Sequence, residues 1–308
     1  MALNTEKISE YRKDVFTQAG EDGIIEKILN TLPSNSRDKW CVEFGAWDGI
    51  YLSNARNLIL NQGYSAVLIE GGKAKFNELR KNYSSQENVL TLNTFVGFTE
   101  KDGLDSILAN TTIPNKFDFL SIDVDGNDYH IWKAINKYQP KVICIEFNPT
   151  IPTEVSFVQP ADPNLNQGSS LLSLVELGKE KGYELVEVLP FNAFFVATQY
   201  FSLFKIENNH PAALRKDFSH ITYLFTGFDG TIFLSGKKSL PWHGLQMEET
   251  RIQRLPKFLR KYKKNYTRFE KRSLRAFMIL DKIVFGVITL IFSPKRFFKI
   301  MKERRNKT

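Results

Sequence analysis

The chain is poor in sulfur and histidine and has no apolar run long enough to cross a membrane. Only two cysteines occur in 308 residues, Cys41 and Cys144. Each sits in an apolar, strand-like stretch, so two buried free thiols in a reducing cytosol are expected, with no metal role. His210, His220 and His243 lack metal-ligand spacing, and His130, one turn into a helical pattern, reads as structural. The first residues, MALNTEKISEYRKDV, contain no apolar leader core; no signal peptide is expected, and a cytoplasmic location is. No internal repeat or low-complexity segment is present. What remains, 42% hydrophobic and 25% charged residues, is ordinary for one large globular domain or two small ones.

Charge is divided along the chain. Residues 251–308 hold 19 Lys/Arg against Glu270, Asp281 and Glu303, a net of +16 within a whole-chain net of +8. Residues 1–250 therefore carry −8. An acidic body disfavours a polyanion lying across it.

Short apolar runs alternate with helical patterns. Strands are expected at Trp40–Phe44, Ala66–Ile69, Val89–Leu92, Phe117–Val124 and Val142–Phe147, with helices near 53–62, 73–83, 102–110, 127–137 and 169–181. That alternation predicts an α/β fold with a mostly parallel sheet. Tyr183–Leu189 and Ala193–Ala197, separated by only three residues, predict a closing antiparallel hairpin. Residues 148–167, with Pro149, Pro152, Pro160 and Pro163, follow the fifth strand and read as a loop covering the ligand edge. Residues 1–247 are taken as the body. Within it, 200–247 form an accessory cap that includes a hairpin around Asp229-Gly230; 248–308 form a basic tail.

The stretch KWCVEFGAWDGIYLSN (39–54) carries the functional signal. An apolar strand with Glu43 near its end opens into a turn holding Gly45, Asp48 and Gly49. Two glycines let a ligand approach the backbone, yet Glu43 and Asp48 would repel the pyrophosphate of a dinucleotide. After the second strand, Glu70 of LIEGG stands where an acid holds the two hydroxyls of an adenosine ribose. Acids in both places suit a cationic adenosine ligand such as S-adenosylmethionine.

From these motifs, together with FTQAGEDG (16–23), LDSIL (104–108), SIDVDGNDY (121–129) and IEFNP (145–149), the chain resembles the class I S-adenosylmethionine-dependent methyltransferases of the FkbM type over roughly residues 15–245. The resemblance implies a Rossmann-like seven-stranded sheet of order 3-2-1-4-5-7-6. It implies that Glu43, Gly45 and Gly49 shape the cofactor turn, Glu70 holds the ribose and Asp123 lies beside the methionine moiety. Asp102 is placed near the adenine or, equally, as the N-cap of the next helix. Gln18, Glu21 and Asp22 close over the cofactor, or else Glu21 and Asp22 favour a helix start.

Alternate strand residues share a face, so Asp123 with Asp125, and Glu146 with Asn148, are expected to converge at neighbouring strand ends. Four oxygen-bearing side chains there form a set for Mg²⁺ or another divalent cation. Without a metal, Asp125 serves as general base, and Asp125, Glu146 and Asn148 are the expected catalytic group. The fourth strand lacks the Asn/Asp-Pro-Pro-Tyr/Phe turn of many amino-group methyltransferases, which favours an oxygen acceptor. The resemblance implies the hydroxyl of a glycan, glycolipid or small molecule. An RNA methyltransferase and a non-catalytic membrane-attached binding protein are the rival readings, with nucleic acid disfavoured by the acidic body. Residues 283–292, IVFGVITLIF, are ten apolar residues between Lys271-Arg272-Arg275 and Lys295-Arg296-Lys299. Through residues 251–308 the tail is expected to lie on an anionic cytoplasmic membrane face, with Phe277, Phe285, Phe297 and Phe298 inserted.

Overall fold

The structure, a computed structural model, describes residues 7–294. It divides into two compact units, with the boundary between Ile221 and Thr222.

The first unit runs α1 (Glu21–Thr31), β1 (Trp40–Phe44), α2 (Arg56–Gln62), β2 (Ser65–Ile69), α3 (Lys73–Asn82), β3 (Val89–Leu92), α4 (Leu104–Leu108) and β4 (Phe119–Ile122). It continues with α5 (Asp128–Ala134), β5 (Val142–Glu146), α6 (Leu171–Glu180), β6 (Tyr183–Val188), β7 (Asn192–Ala197) and the single turns α7 (Thr198–Phe201) and α8 (Pro211–Leu214). The strands form one sheet of order β3-β2-β1-β4-β5-β7-β6. Only the pairings of β7 with β5 and β6 are antiparallel. This is the expected order, closed by the expected hairpin.

Both faces of the sheet are covered, so the central strands are apolar on both sides. On one face Cys41, Phe119, Cys144 and Phe194 pack with Ile24, Ile28, Leu58 and Leu79 of α1–α3. On the other, Val42, Leu120, Ile143 and Phe195 pack with Leu104, Trp132 and Leu174 of α4–α6. Several elements stop short of their predicted ends, for local reasons. β4 ends at Ile122 because the chain turns there, with Asp125 at φ +55°. α2 begins at Arg56 because Ser53 and Asn54 are bonded to Glu43.

The second unit holds the hairpin β8 (Thr222–Thr226) and β9 (Ile232–Gly236), the turn α9 (Glu249–Ile252) and the long α10 (Arg268–Phe292). Thr267 and Glu270 start α10 with a capping box: the Thr267 hydroxyl accepts from the Glu270 N–H at 3.2 Å, and the Glu270 carboxylate accepts from the Thr267 N–H at 2.8 Å. The expected cap at 200–247 is therefore split. Residues 200–221 belong with the sheet, whereas the hairpin belongs with the tail. None of the described helices is long and apolar enough to cross a membrane. Within α10, Phe285 is exposed but Phe277 is half-buried. Lys295, Arg296, Phe297, Phe298 and Lys299 lie outside the described residues.

Candidate active site

On the face of the sheet that packs against α1–α3, the side chains change from apolar to polar one step before the carboxyl edge. Leu68 is followed two residues later by Glu70, Cys41 by Glu43, Phe119 by Ser121 and Asp123, and Cys144 by Glu146, while in antiparallel β7 Asn192 precedes Phe194. Ile122 pairs with Ile145, so Asp123 continues β4 beside Glu146, and Glu146 is paired in register with Asn192. A row of polar groups thus crosses β4, β5 and β7 at one edge.

The acids nearest the row crowd together. Ligand oxygens of Asp123, Asp125 and Glu146 lie within 4.8 Å of one another. Asp123 and Glu146 share a side-chain hydrogen bond, and burial together with the neighbouring carboxylates raises both above the ordinary range. Asp128, buried at the start of α5, accepts from the N–H groups of Val124 and Gly126, both at 2.9 Å. Burial pushes its carboxyl up to about 6 despite those bonds. Asp128 therefore builds the turn that presents Asp125.

The first glycine turn closes against this group. Gly45 has φ +73°, and a Cβ on it would meet the Asp123 carbonyl oxygen at 2.0 Å. Gly49, at φ +72°, would meet Leu79 and Tyr83 at 2.5 Å. Glu43 faces inward: it accepts from the Ser53 hydroxyl at 2.6 Å and the Asn54 N–H at 2.7 Å, tying the far end of the loop to β1. Burial pushes its carboxyl up to about 7, although those hydrogen bonds oppose the shift. Asp48 folds the loop by accepting from the Ile50 and Tyr51 N–H groups at 2.9 and 2.8 Å. Burial opposes this, but those bonds and Lys75 hold the Asp48 carboxyl below its ordinary value. Glu70 accepts from the Trp47 N–H at 2.9 Å and the Gly72 N–H at 2.5 Å, so it joins the two turns. A carboxylate has about four acceptor positions, which leaves capacity for a ligand hydroxyl.

Other expected residues have different partners. Asp102 does not cap α4, whose N-cap is Gly103. Its carboxylate accepts from the Thr99 N–H at 2.8 Å and from the Thr99 hydroxyl at 2.5 Å, and these bonds hold it below its ordinary pKa. The N-cap reading is corrected: the carboxylate is spent on the turn before the helix. Asn148 does not turn its oxygen to the acids. Oδ1 accepts from the Thr150 N–H and hydroxyl at 2.9 and 2.6 Å, and Nδ2 donates to the Gln167 carbonyl at 2.7 Å. Asn148 therefore pins the ends of the Pro-rich loop, because a side chain leaving β5 meets that loop first. Gln18 is exposed. Asp22, in the first turn of α1, gathers the N–H groups of Val15, Phe16 and Thr17 at 2.7–3.0 Å on one carboxylate oxygen.

Four residues that hold the site were not assigned to it by sequence reasoning. Gln159, buried in the Pro-rich loop, accepts from the Gln167 and Gly168 N–H groups at 2.9 and 2.8 Å and donates to Asn127 and the Leu165 carbonyl at 3.0 and 3.1 Å. His130, read as structural, bonds the Gln159 carbonyl at 2.8 Å. Asn192 donates to Glu21 at 3.2 Å, while its buried Oδ1 has no partner among the described residues. Arg215, buried after α8, donates to the Pro149 and Ile151 carbonyls at 2.6 and 2.8 Å, anchoring the start of the loop. None of these has a periodic signature; only the hydrophobic-to-polar switch at the ends of β5 and β7 hinted at Asn192. A cavity of about 300 Å³ lies at the opposite edge of the sheet, lined by Lys116, Lys141, Lys181, Tyr183 and Tyr200, remote from the acids.

Residues 99–185 match the family model of the methyltransferase FkbM domain, a stretch from just before α4 into β6 that contains the acid turn and the Pro-rich loop. The resemblance to FkbM-type methyltransferases holds over this segment. No curated protein sequence matches the chain. Among solved structures the chain is similar to the CMeT domain of the citrinin polyketide synthase, with 12% identity, a TM-score of 0.41 and coverage of 57% of this chain and 51% of that one. It is similar to the N-terminal domain of EvdMO1 in the presence of SAH and D-fucose, with 11% identity, a TM-score of 0.38 and coverage of 62% and 93%. A SAM-dependent methyltransferase from Aquifex aeolicus gives 13% identity, a TM-score of 0.36 and coverage of 62% and 95%. The chain spans only about half the length of the first of these.

Proposed function

We propose that this chain, with its FkbM methyltransferase segment at 99–185, is an S-adenosylmethionine-dependent methyltransferase. We take its acceptor to be an oxygen, the hydroxyl of a sugar in a glycan or glycolipid, met at an anionic cytoplasmic membrane face. One observation carries the reading: the glycine turn packs at Gly45 directly against the backbone of Asp123, whose carboxyl group clusters with those of Asp125 and Glu146. A sulfonium and an ammonium are the charges such a cluster favours. The unpartnered, buried Asn192 Oδ1 beside Glu146 fits the same ligand, because an ammonium would supply the missing donor.

In the reaction, the acceptor oxygen attacks the sulfonium methyl carbon in line with the departing thioether. The new O–C bond forms as the C–S bond breaks, and that electron pair stays on sulfur. The hydroxyl proton passes to a carboxylate. Asp125, exposed on a left-handed turn beside the half-buried Asp123–Glu146 pair, takes that role. The Pro-rich loop, clamped by Gln159 and Asn148, borders the acid turn, where the Asn166 amide donates to the Asp125 carbonyl at 2.9 Å. The oxygens of Asp123, Asp125 and Glu146 are a hard donor set and suit Mg²⁺ or a similar ion; when bound, that ion lowers the pKa of a coordinated hydroxyl.

Tritium transfer from labelled cofactor to cell glycans, with RNA and small-molecule hydroxyl pools as controls, tests the acceptor class. Asp125→Ala should abolish transfer while calorimetric affinity for S-adenosylmethionine stays within a few-fold of wild type. Label appearing in RNA alone would overturn the sugar assignment, and full activity of Asp125→Ala would remove it as the base.

A further inference from the structure

The second unit exposes aromatic side chains in another place besides α10. Phe225 pairs with Phe233 across the β8–β9 hairpin, and Tyr223, two residues earlier, shares their face. The Phe225 and Phe233 rings stack with centroids 5.4 Å apart, yet both remain exposed. Phe228, at the tip, is 95% exposed. Fraying does not account for this exposure, because the hairpin is held along the outer edge of β9. Leu234 is buried, and Glu249 accepts from its N–H at 3.1 Å. Gln253 accepts from the Ile232 N–H at 3.0 Å and donates to the Ile232 carbonyl at 2.6 Å. The tip is equally built: Asp229 accepts from the Thr231 N–H at 2.9 Å and the Thr231 hydroxyl at 2.8 Å, with Gly230 at φ +80°.

A two-stranded hairpin that leaves an aromatic face in water is marginal, so the face calls for a partner. Residues 222–294 carry fourteen Lys/Arg against five Asp/Glu, a net of +9, which matches an anionic surface. Aromatic rings beside basic residues are the composition that settles at a lipid headgroup boundary. A sugar platform would present free carboxylates or amides among the rings, but the one acid of the tip, Asp229, is engaged by Thr231.

We propose that the β8–β9 hairpin is a second membrane-insertion element, entering the headgroup region of an anionic bilayer through Phe228 and the Tyr223–Phe225–Phe233 face, independently of α10. The proposal rests on the membrane reading above, since lipid is the partner in both, and the test separates the two. The full-length chain, Phe228→Ser and Ile283→Glu (in α10) are compared for binding to vesicles of phosphatidylcholine alone and with phosphatidylglycerol. Phe228→Ser should keep the wild-type melting temperature, because its side chain touches almost nothing, and lose about tenfold in partitioning onto the anionic vesicles. Ile283→Glu should weaken binding separately. Unchanged partitioning of Phe228→Ser, with binding lost in Ile283→Glu, would leave α10 as the sole anchor and overturn the hairpin's role. A wild-type chain that binds neither vesicle would overturn the hairpin's role and the membrane reading together. A wild-type chain that self-associates without lipid and becomes monomeric as Phe228→Ser would assign the face to a second copy, overturning it as well.

Discussion

A single carboxyl group shows how burial sets this site's response to pH. Glu43 is sealed under the glycine loop, and its folded pKa of about 7 lies above the ordinary 4.5. The folded state therefore holds that proton more tightly than the unfolded chain. Its stabilising effect is full below about pH 4.5 and is lost as pH rises through about 7. Glu43→Gln retains an acceptor for the Asn54 N–H and removes the titration. The stability difference between variant and wild type should shift in the variant's favour by roughly 2–3 kcal/mol between pH 5 and pH 8. Urea denaturation at the two pH values checks this, and parallel curves would place the Glu43 titration elsewhere. Gly45 presents the opposite case, a position where nothing can be added. A Cβ there meets a backbone oxygen at 2.0 Å in a left-handed conformation. Gly45→Ala should cost about 2–4 kcal/mol and displace Asp123. Melting together with calorimetric titration of S-adenosylmethionine would reveal both losses.

Among the elements, the Pro-rich loop at 148–167 depends on few side chains. Gln159 alone makes four side-chain hydrogen bonds that close the loop onto Asn127 and onto its own end. Gln159→Ala removes the acceptor of the part-buried N–H bonds from Gln167 and Gly168, at about 0.5–1.5 kcal/mol for each bond lost. Hydrogen exchange at residues 160–168 should speed up by at least tenfold while the amides of β4 and β5 stay protected. Loss of protection throughout the sheet would instead make Gln159 part of the global fold.

At the scale of the whole molecule, the acidic body and the basic remainder are separate units meeting at 221/222. A cut after residue 247 strands the β8–β9 hairpin without Glu249 and Gln253, which bond its edge. Residues 1–221 should therefore fold and bind S-adenosylmethionine, whereas residues 1–247 should aggregate. The intact chain should pellet with anionic vesicles, and less so as salt rises, because surface attraction is screened within about 10 Å at 0.1 M salt. Gel filtration and co-sedimentation across a salt series measure the two outcomes, and a monodisperse 1–247 fragment would show that the hairpin does not depend on Glu249 and Gln253.

The sequence alone determined the succession of strands and helices, the hairpins and the positions of Asp123, Asp125 and Glu146, since these follow from periodicity, glycine placement and alternation along a strand; the sheet order 3-2-1-4-5-7-6 was implied by the family resemblance and is borne out by the tertiary structure. Local rules reach that far because each acts within a few residues. What tertiary structure decided was the use of each side chain. Glu43 points inward to Ser53, Asp102 turns to Thr99, Asn148 bonds the loop, and Gln159 and Asn192 join the site from stretches without any periodic mark. A polar side chain takes whichever donor or acceptor the fold brings within about 3 Å, and residues far apart in the chain supply those partners.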